Sequence, residues 1–104
     1  MSVLCRINFI PIIMAHVRKR VLYSGHVQGV GFRYNALRCA KTRSVTGFVR
    51  NLPDGRVELI TEGHKPEVEA LLEDIASSMS ENIDDISSTT EEPTGEFADF
   101  SIRS

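Results

Sequence analysis

Residues 45–62 have the sequence VTGFVRNLPDGRVELITE, which predicts two β-strands joined by a tight turn. In the turn, Leu52-Pro53-Asp54-Gly55, the proline fixes its own φ and the glycine accepts a positive one. The flanking segments 45–50 and 56–62 are rich in β-branched and apolar residues, which favours strands. The two segments therefore form a β-hairpin at the centre of the chain.

A helical pattern lies on each side of this hairpin. Before it, in residues 32–42, Ala36, Cys39 and Ala40 fall at positions i, i+3 and i+4. After it, Pro66 suits the first turn of a helix, where its missing N–H costs nothing. One apolar stripe then follows at helical spacing: Val68, Leu71, Leu72, Ile75 and Met79.

Strand patterns also lie outside the two helices. Residues 17–23 precede the first helix, residues 97–103 close the chain, and residues 83–90 form a weaker extra strand. The order strand, helix, strand, strand, helix, strand is that of the ferredoxin-like βαββαβ fold. We therefore expect an α+β sandwich, an antiparallel sheet with two helices on one face.

Composition indicates one soluble domain. The chain has 104 residues and a formal net charge of −2, with 12 basic and 14 acidic side chains. This balance argues against general affinity for nucleic acid or for an anionic membrane, and we expect a monomer. The two cysteines, Cys5 and Cys39, are expected to be free thiols in a reducing cytoplasm.

Residues 1–16 are expected to be an N-terminal extension to a domain of residues 17–104. The segment is mostly apolar, but Arg6, Asn8 and Pro11 interrupt it, and it is too short to span a bilayer. It lacks the basic start and small cleavage-site residues of a signal peptide, which favours a cytoplasmic protein.

A glycine-rich segment, residues 25–33 (GHVQGVGFR), runs from the first strand into the first helix. Three glycines let the backbone curl so that successive N–H groups point inward, and a helix N-terminus attracts anions. Arg33 lies in the first helical turn, where a cation opposes the helix dipole but its donors match phosphate oxygens. Glycine-rich turns are common by themselves, and the segment matches neither a Walker loop nor a complete dinucleotide fingerprint.

Two motifs together resemble the signatures of the acylphosphatase family. Residues 25–33, with Val-Gln-Gly-Val at the centre and Phe-Arg at the end, are similar to the first signature. Residues 47–51 (GFVRN), followed by Gly55, Val57 and Gly63, are similar to the second. The resemblance covers about residues 17–104, including the ending Phe-Ser-Ile-Arg at 100–103. The sequence departs from the family at Ser44, where glycine is frequent, and in the extension.

The resemblance implies an acylphosphatase, an acylphosphate phosphohydrolase acting on the carboxyl–phosphate bond of small acyl phosphates. Arg33 and the backbone N–H groups of the loop would hold the phosphate, and Asn51 would orient the attacking water. The acyl group would remain in solvent. The loop residues so assigned are Gln28, Gly29, Val30, Gly31, Phe32 and Arg33. No Cys/His cluster has metal-ligand spacing, so we expect no metal and no cofactor.

Three other functions remain open at this point. RNA-recognition domains share the fold, but their aromatic strand motif lies on the third strand, whereas residues 46–49 (TGFV) lie on the second. An acylphosphatase-like domain also occurs within larger hydrogenase-maturation proteins, but 104 residues leave room for the domain alone. A small-molecule regulatory module of the same fold would bind without turnover.

Overall fold

The computed structural model describes residues 15–104, and two helices pack on one face of a five-stranded sheet. This is the predicted α+β ferredoxin-like arrangement. In chain order the elements are β1 (His16–Gly25), α1 (Phe32–Lys41), β2 (Val45–Asn51), β3 (Val57–His64), α2 (Lys65–Ser78), β4 (Ile83–Glu91) and β5 (Phe100–Arg103). The extension predicted over residues 1–16 lies, apart from Ala15 and His16, outside the described residues.

The sheet has the strand order β4-β1-β3-β2-β5. Four strands are mutually antiparallel where they pair, but β5 runs parallel to β2. The sheet is therefore mixed, and the antiparallel pattern expected from the sequence holds for four of its five strands.

The last strand is shorter than the predicted 97–103. The loop before it is held by a side chain, since backbone N–H groups of Thr94 and Gly95 donate to the carboxylate of Glu62. The ring of Phe97 lies edge-on to Phe48, with centroids 5.8 Å apart. Regular pairing with β2 then begins at Phe100.

The main core lies between the sheet and the two helices. β3, at the centre of the sheet, contributes Val57 and Leu59, and each is fully buried. The helices contribute residues from the predicted apolar stripes, because i, i+3 and i+4 positions share one helix face. The buried residues of this cluster are Val21, Tyr23, Val27, Phe32, Ala36, Ala40, Val49, Val57, Leu59, Leu71, Ile75 and Met79.

The opposite face of β3 is also buried, and it is charged. The carboxylate of Glu58 pairs with Arg20 at 2.7 Å and with Arg50 at 2.6 Å. Glu62, only 2% exposed, pairs with Arg18 at 2.7 Å. Burial raises the pKa of Glu62, but hydrogen bonds from Thr94, Gly95 and Arg18 outweigh it and bring the pKa to about 2. The carboxylate is therefore ionised at neutral pH, and both faces of β3 are covered.

Gly47 leaves no room for a side chain between β2 and β3. Its φ is 136°, and a Cβ there would collide with the backbone carbonyl of Ile60.

We expect Gly47→Ala to lower the free energy of unfolding by about 3–5 kcal/mol, since backbone strain and collision add. Gly55→Ala is the matched control, because Gly55 has a φ of 95° but no atom within 4 Å of the added Cβ. It should lose only about 1–2 kcal/mol. Equal losses in urea denaturation would contradict the close approach at Gly47.

Candidate active site

The sheet topology brings the two sequence motifs to the same edge. β1 and β2 each run antiparallel to β3, so they run parallel to one another. Val57 pairs with Tyr23 on one side and with Asn51 on the other, so β1 and β2 end level. The loop after β1 and the Asn51 side chain therefore start from neighbouring positions, about 10 Å apart across β3.

The loop between β1 and α1 is anchored at both ends and curled in the middle. Val27 is 1% exposed and Phe32 is 2% exposed, and the Phe32 ring packs on Tyr23. Between these anchors Gly29 has a φ of 76° and Gly31 a φ of 80°, whereas Val30 does not have a positive φ. Because φ alternates in sign along these residues, successive N–H groups point to one side, which is the geometry of an anion-binding nest.

The N–H groups of this loop are available to a ligand. Among the described residues, no acceptor receives a hydrogen bond from the backbone N–H groups of residues 28–33. Gly31 precedes α1 without a side-chain cap, and the first turn of α1 contains no acidic residue. The positive end of the helix dipole is therefore not neutralised from within the described chain, and it favours an anion.

A cavity of about 250 Å³ joins the loop to the end of β2. Its lining consists of Val27, Gly29, Gly31, Phe32, Arg33, Tyr34 and Asn51. The structure thus brings together Arg33 and Asn51, the two side chains that the sequence predicts to work together. Gln28 and Val30, also assigned to the loop site, do not line the cavity. Val30 packs against the core instead.

Arg33 differs from most arginines of the described residues in having no carboxylate partner. The arginines that pair with carboxylates are Arg18, Arg20, Arg43, Arg50 and Arg56. Arg33 lies in the first turn of α1, half-buried beside the cavity. A guanidinium here, next to free N–H groups, makes a strongly cationic site for a planar or tetrahedral oxyanion.

Asn51 holds an unused acceptor. It lies two residues after buried Val49 on β2, so the two side chains share the helix-covered face of the sheet. The side-chain oxygen Oδ1 is buried, and no described group donates to it. Leaving such an acceptor unpaired lowers the free energy of unfolding by about 1–3 kcal/mol, so its presence at a cavity wall points to a functional use.

Gln28 has a role that the sequence does not reveal. Its Nε2 donates to the carbonyl oxygens of Leu52 and Arg56, each at 2.8 Å. Both amide protons therefore bind the turn of the β2–β3 hairpin, directly after Asn51. Gln28 contributes to the site by fixing the loop against this turn, and its own side chain stays out of the cavity.

Neither a metal centre nor a membrane span is found in residues 15–104. No group of three or more His, Cys, Asp or Glu side chains there could hold a metal ion. Neither helix is long and apolar enough to cross a bilayer. Cys39 is a half-buried free thiol, and Cys5 lies outside the described residues.

Comparisons with known proteins agree with this geometry. The family model for acylphosphatase matches residues 19–102. The chain is 43% identical to an acylphosphatase of Haloarcula marismortui over 79% of this chain and 91% of that protein. It is 45% identical to an acylphosphatase of Syntrophus aciditrophicus over 82% and 90% of the two chains.

Solved structures give the same result. The crystal structure of acylphosphatase from Bacillus subtilis superimposes with a TM-score of 0.76 at 32% identity, covering 85% of this chain and 99% of that one. Full-length HypF, in a phosphate- and nucleotide-bound form, matches with a TM-score of 0.71 at 25% identity, over 93% of this chain and 12% of its own. Since the family model spans most of the chain and similar relatives are covered almost completely, this chain belongs to the acylphosphatase family.

Proposed function

We propose that this protein hydrolyses the carboxyl–phosphate bond of small acyl phosphates to a carboxylate and inorganic phosphate, with Arg33 and Asn51 as its catalytic residues. The observation that carries the proposal is one small cavity that combines a guanidinium, backbone N–H groups and an amide oxygen, none of which has a partner within residues 15–104. Family membership supplies the reaction class, and these groups supply a mechanism for it.

The phosphoryl group binds at the loop. The loop N–H groups that face the cavity, those of Gly29 and of residues 31–33, and the Arg33 guanidinium donate to its non-bridging oxygens, where negative charge is spread in the transition state. At about 250 Å³ the cavity is smaller than a typical drug-sized pocket of roughly 300–1,000 Å³. It therefore suits a phosphoryl group and a water molecule, and leaves the acyl group outside.

Asn51 orients the nucleophile. Its free Oδ1 accepts a hydrogen bond from water, which directs a lone pair of that water toward phosphorus. Because an amide is neutral and does not take up a proton at pH 7, Asn51 positions the water without acting as a base.

The bond changes then require no further group from the protein. The water oxygen forms a bond to phosphorus while the bond from phosphorus to the acyl oxygen breaks, and the electron pair leaves with the carboxylate. The proton of the water passes to a phosphoryl oxygen of the substrate. A carboxylate is a good leaving group, so its departure needs no general acid, and charge neutralisation and positioning supply the catalysis.

The reaction is proposed to proceed without a metal or cofactor, in a cytoplasmic monomer. Arg33 and the loop donors neutralise the phosphate charge that a divalent ion would otherwise share. The free thiol of Cys39 suits a reducing compartment.

Benzoyl phosphate hydrolysis tests the proposed activity. We expect turnover well above the spontaneous rate, unchanged by excess EDTA, because no step uses a metal. Loss of activity with EDTA and its return with a divalent ion would overturn the metal-free mechanism. Phosphate binding without any turnover would identify a regulatory module instead.

Two substitutions separate the proposed roles. Arg33→Ala should weaken phosphate binding and lower kcat/KM on the order of 10³-fold, because Arg33 contacts the anion in both ground and transition states. Asn51→Ala should lower kcat by about 10²- to 10³-fold yet leave the Kd for inorganic phosphate nearly unchanged. Calorimetric phosphate titration beside steady-state kinetics measures both effects.

Arg43→Ala is the control for Arg33→Ala, since Arg43 lies beyond the other end of α1 and pairs with Asp74. It should retain normal phosphate affinity. Equal loss of phosphate affinity in the Arg33 and Asn51 variants would mean that Asn51 binds the anion, and the division of roles would be wrong.

A further inference from the structure

A second cavity, shallow and open to solvent, adjoins the proposed phosphate site. It measures about 510 Å³, twice the first, and the two cavities share Gly31 and Tyr34. The remaining lining residues of this second cavity lie along the outer face of α1: Asn35, Leu37, Arg38 and Lys41. The second cavity is therefore the recess next to the proposed phosphate site.

The walls of this cavity combine apolar surface with positive charge. Tyr34 is 74% exposed, an unusual position for a large aromatic side chain, and Leu37 is half-buried beside it. Arg38 follows Tyr34 by four residues and Lys41 by seven, so all three share one helix face. The apolar surface lies next to the phosphate site and the cations lie beyond it. This order would complement an acyl group that is apolar near the phosphate and negatively charged at its other end.

The cations of α1 are not used elsewhere in the described structure. Arg33, Arg38 and Lys41 have no carboxylate partner, and α1 itself contains no acidic residue. Arg38 donates only to the amide oxygen of Asn35. By contrast, the arginines on the open face of the sheet are neutralised by Glu58 and Glu62. Positive charge is therefore concentrated along the helix that leaves the phosphate site.

The spacing along one face of α1 suits a short molecule. Arg38 lies four residues after Tyr34, which both cavities share, and therefore about 6 Å further along the helix axis on the same face. This length is that of a small acyl group lying along Tyr34 with a carboxylate at Arg38. Lys41 lies about one helical turn beyond Arg38 and reaches the same end of the cavity.

From these observations we infer that the enzyme prefers acyl phosphates whose acyl group carries a second, terminal carboxylate. The inference rests on the proposed hydrolysis at Arg33 and Asn51. The acyl group lies along Tyr34 and Leu37, and its carboxylate pairs with Arg38 and Lys41. The acyl group is thus recognised by the protein, in contrast to the solvent-exposed acyl group expected from the sequence.

Cations near a helix C-terminus also stabilise the helix through its dipole. That effect would change stability in an Arg38 or Lys41 variant, but it would not change the choice between two substrates. The test is therefore a ratio of substrates measured in each variant.

The two substrates are 4-carboxybenzoyl phosphate and benzoyl phosphate, which share a rigid aromatic acyl group and differ in the terminal carboxylate. The ratio of their kcat/KM values is measured in the wild type, Arg38→Gln, Lys41→Gln and the double variant. Lys19→Gln is the matched control, because Lys19 also lacks a carboxylate partner but lies on β1, away from both cavities of α1. Benzoyl phosphate gives the reference rate for every variant.

We expect the wild type to prefer the carboxylated substrate, and the double variant to reduce this preference about fivefold, as for two partly exposed ion pairs. High salt should reduce the preference in the wild type as well. Lys19→Gln should retain the wild-type ratio.

Two results would overturn the inference and leave the proposed function standing. One is hydrolysis of both substrates with the same ratio in all variants, which would place the acyl group in solvent. The other is an equal fall of the ratio in Lys19→Gln, which would assign the preference to the overall field of the protein. Failure to hydrolyse either substrate would instead overturn the proposed function and the inference with it.

Discussion

The side-chain amide of Gln28 joins the two parts of the chain that form the candidate active site. Its two hydrogen bonds, to the carbonyl oxygens of Leu52 and Arg56, fix the β1–α1 loop against the turn of the β2–β3 hairpin. The loop carries Arg33 and the N–H groups that are proposed to bind phosphate, and the hairpin carries Asn51. The sheet pairing places the ends of β1 and β2 level with each other on either side of β3. The Gln28 contact then holds the loop itself against the hairpin turn.

The rest of the fold makes such a contact rigid. Val27 and Phe32 anchor the loop in the core at both of its ends. β3 is buried on both faces, by the helices on one side and by the arginines around Glu58 and Glu62 on the other. A firmly held scaffold permits unsatisfied groups at its edge, including the Asn51 oxygen and the loop N–H groups. The buried Asn51 oxygen reduces stability in the free protein, and in the proposed mechanism these groups bind a water molecule and an oxyanion.

Much of this architecture could be predicted from local sequence patterns. The turn at residues 52–55 and the apolar stripes of both helices predicted the elements, because each depends on neighbouring residues alone. The structure also brings Arg33 and Asn51 together, as the two motifs indicate. Their catalytic roles remain proposals. The parallel pairing of β5, the Gln28 contact and the buried carboxylates of β3 could not be predicted in this way. Each depends on residues distant in sequence. The alternating pattern of β3 suggests that Glu58 and Glu62 are exposed, but arginines of β1 and β2 cover them in the structure.

The coupling of loop and hairpin through Gln28 can be measured by a double-mutant cycle. Gln28→Met removes both donors at similar volume, and kcat for benzoyl phosphate is compared in Gln28→Met, Asn51→Ala and the double variant. If Gln28 acts by holding Asn51 in position, each single variant lowers kcat, and the double variant is within about twofold of Asn51→Ala alone. If the losses of the two single variants multiply in the double variant, Gln28 and Asn51 act independently, and the Gln28 contact does not assemble the site.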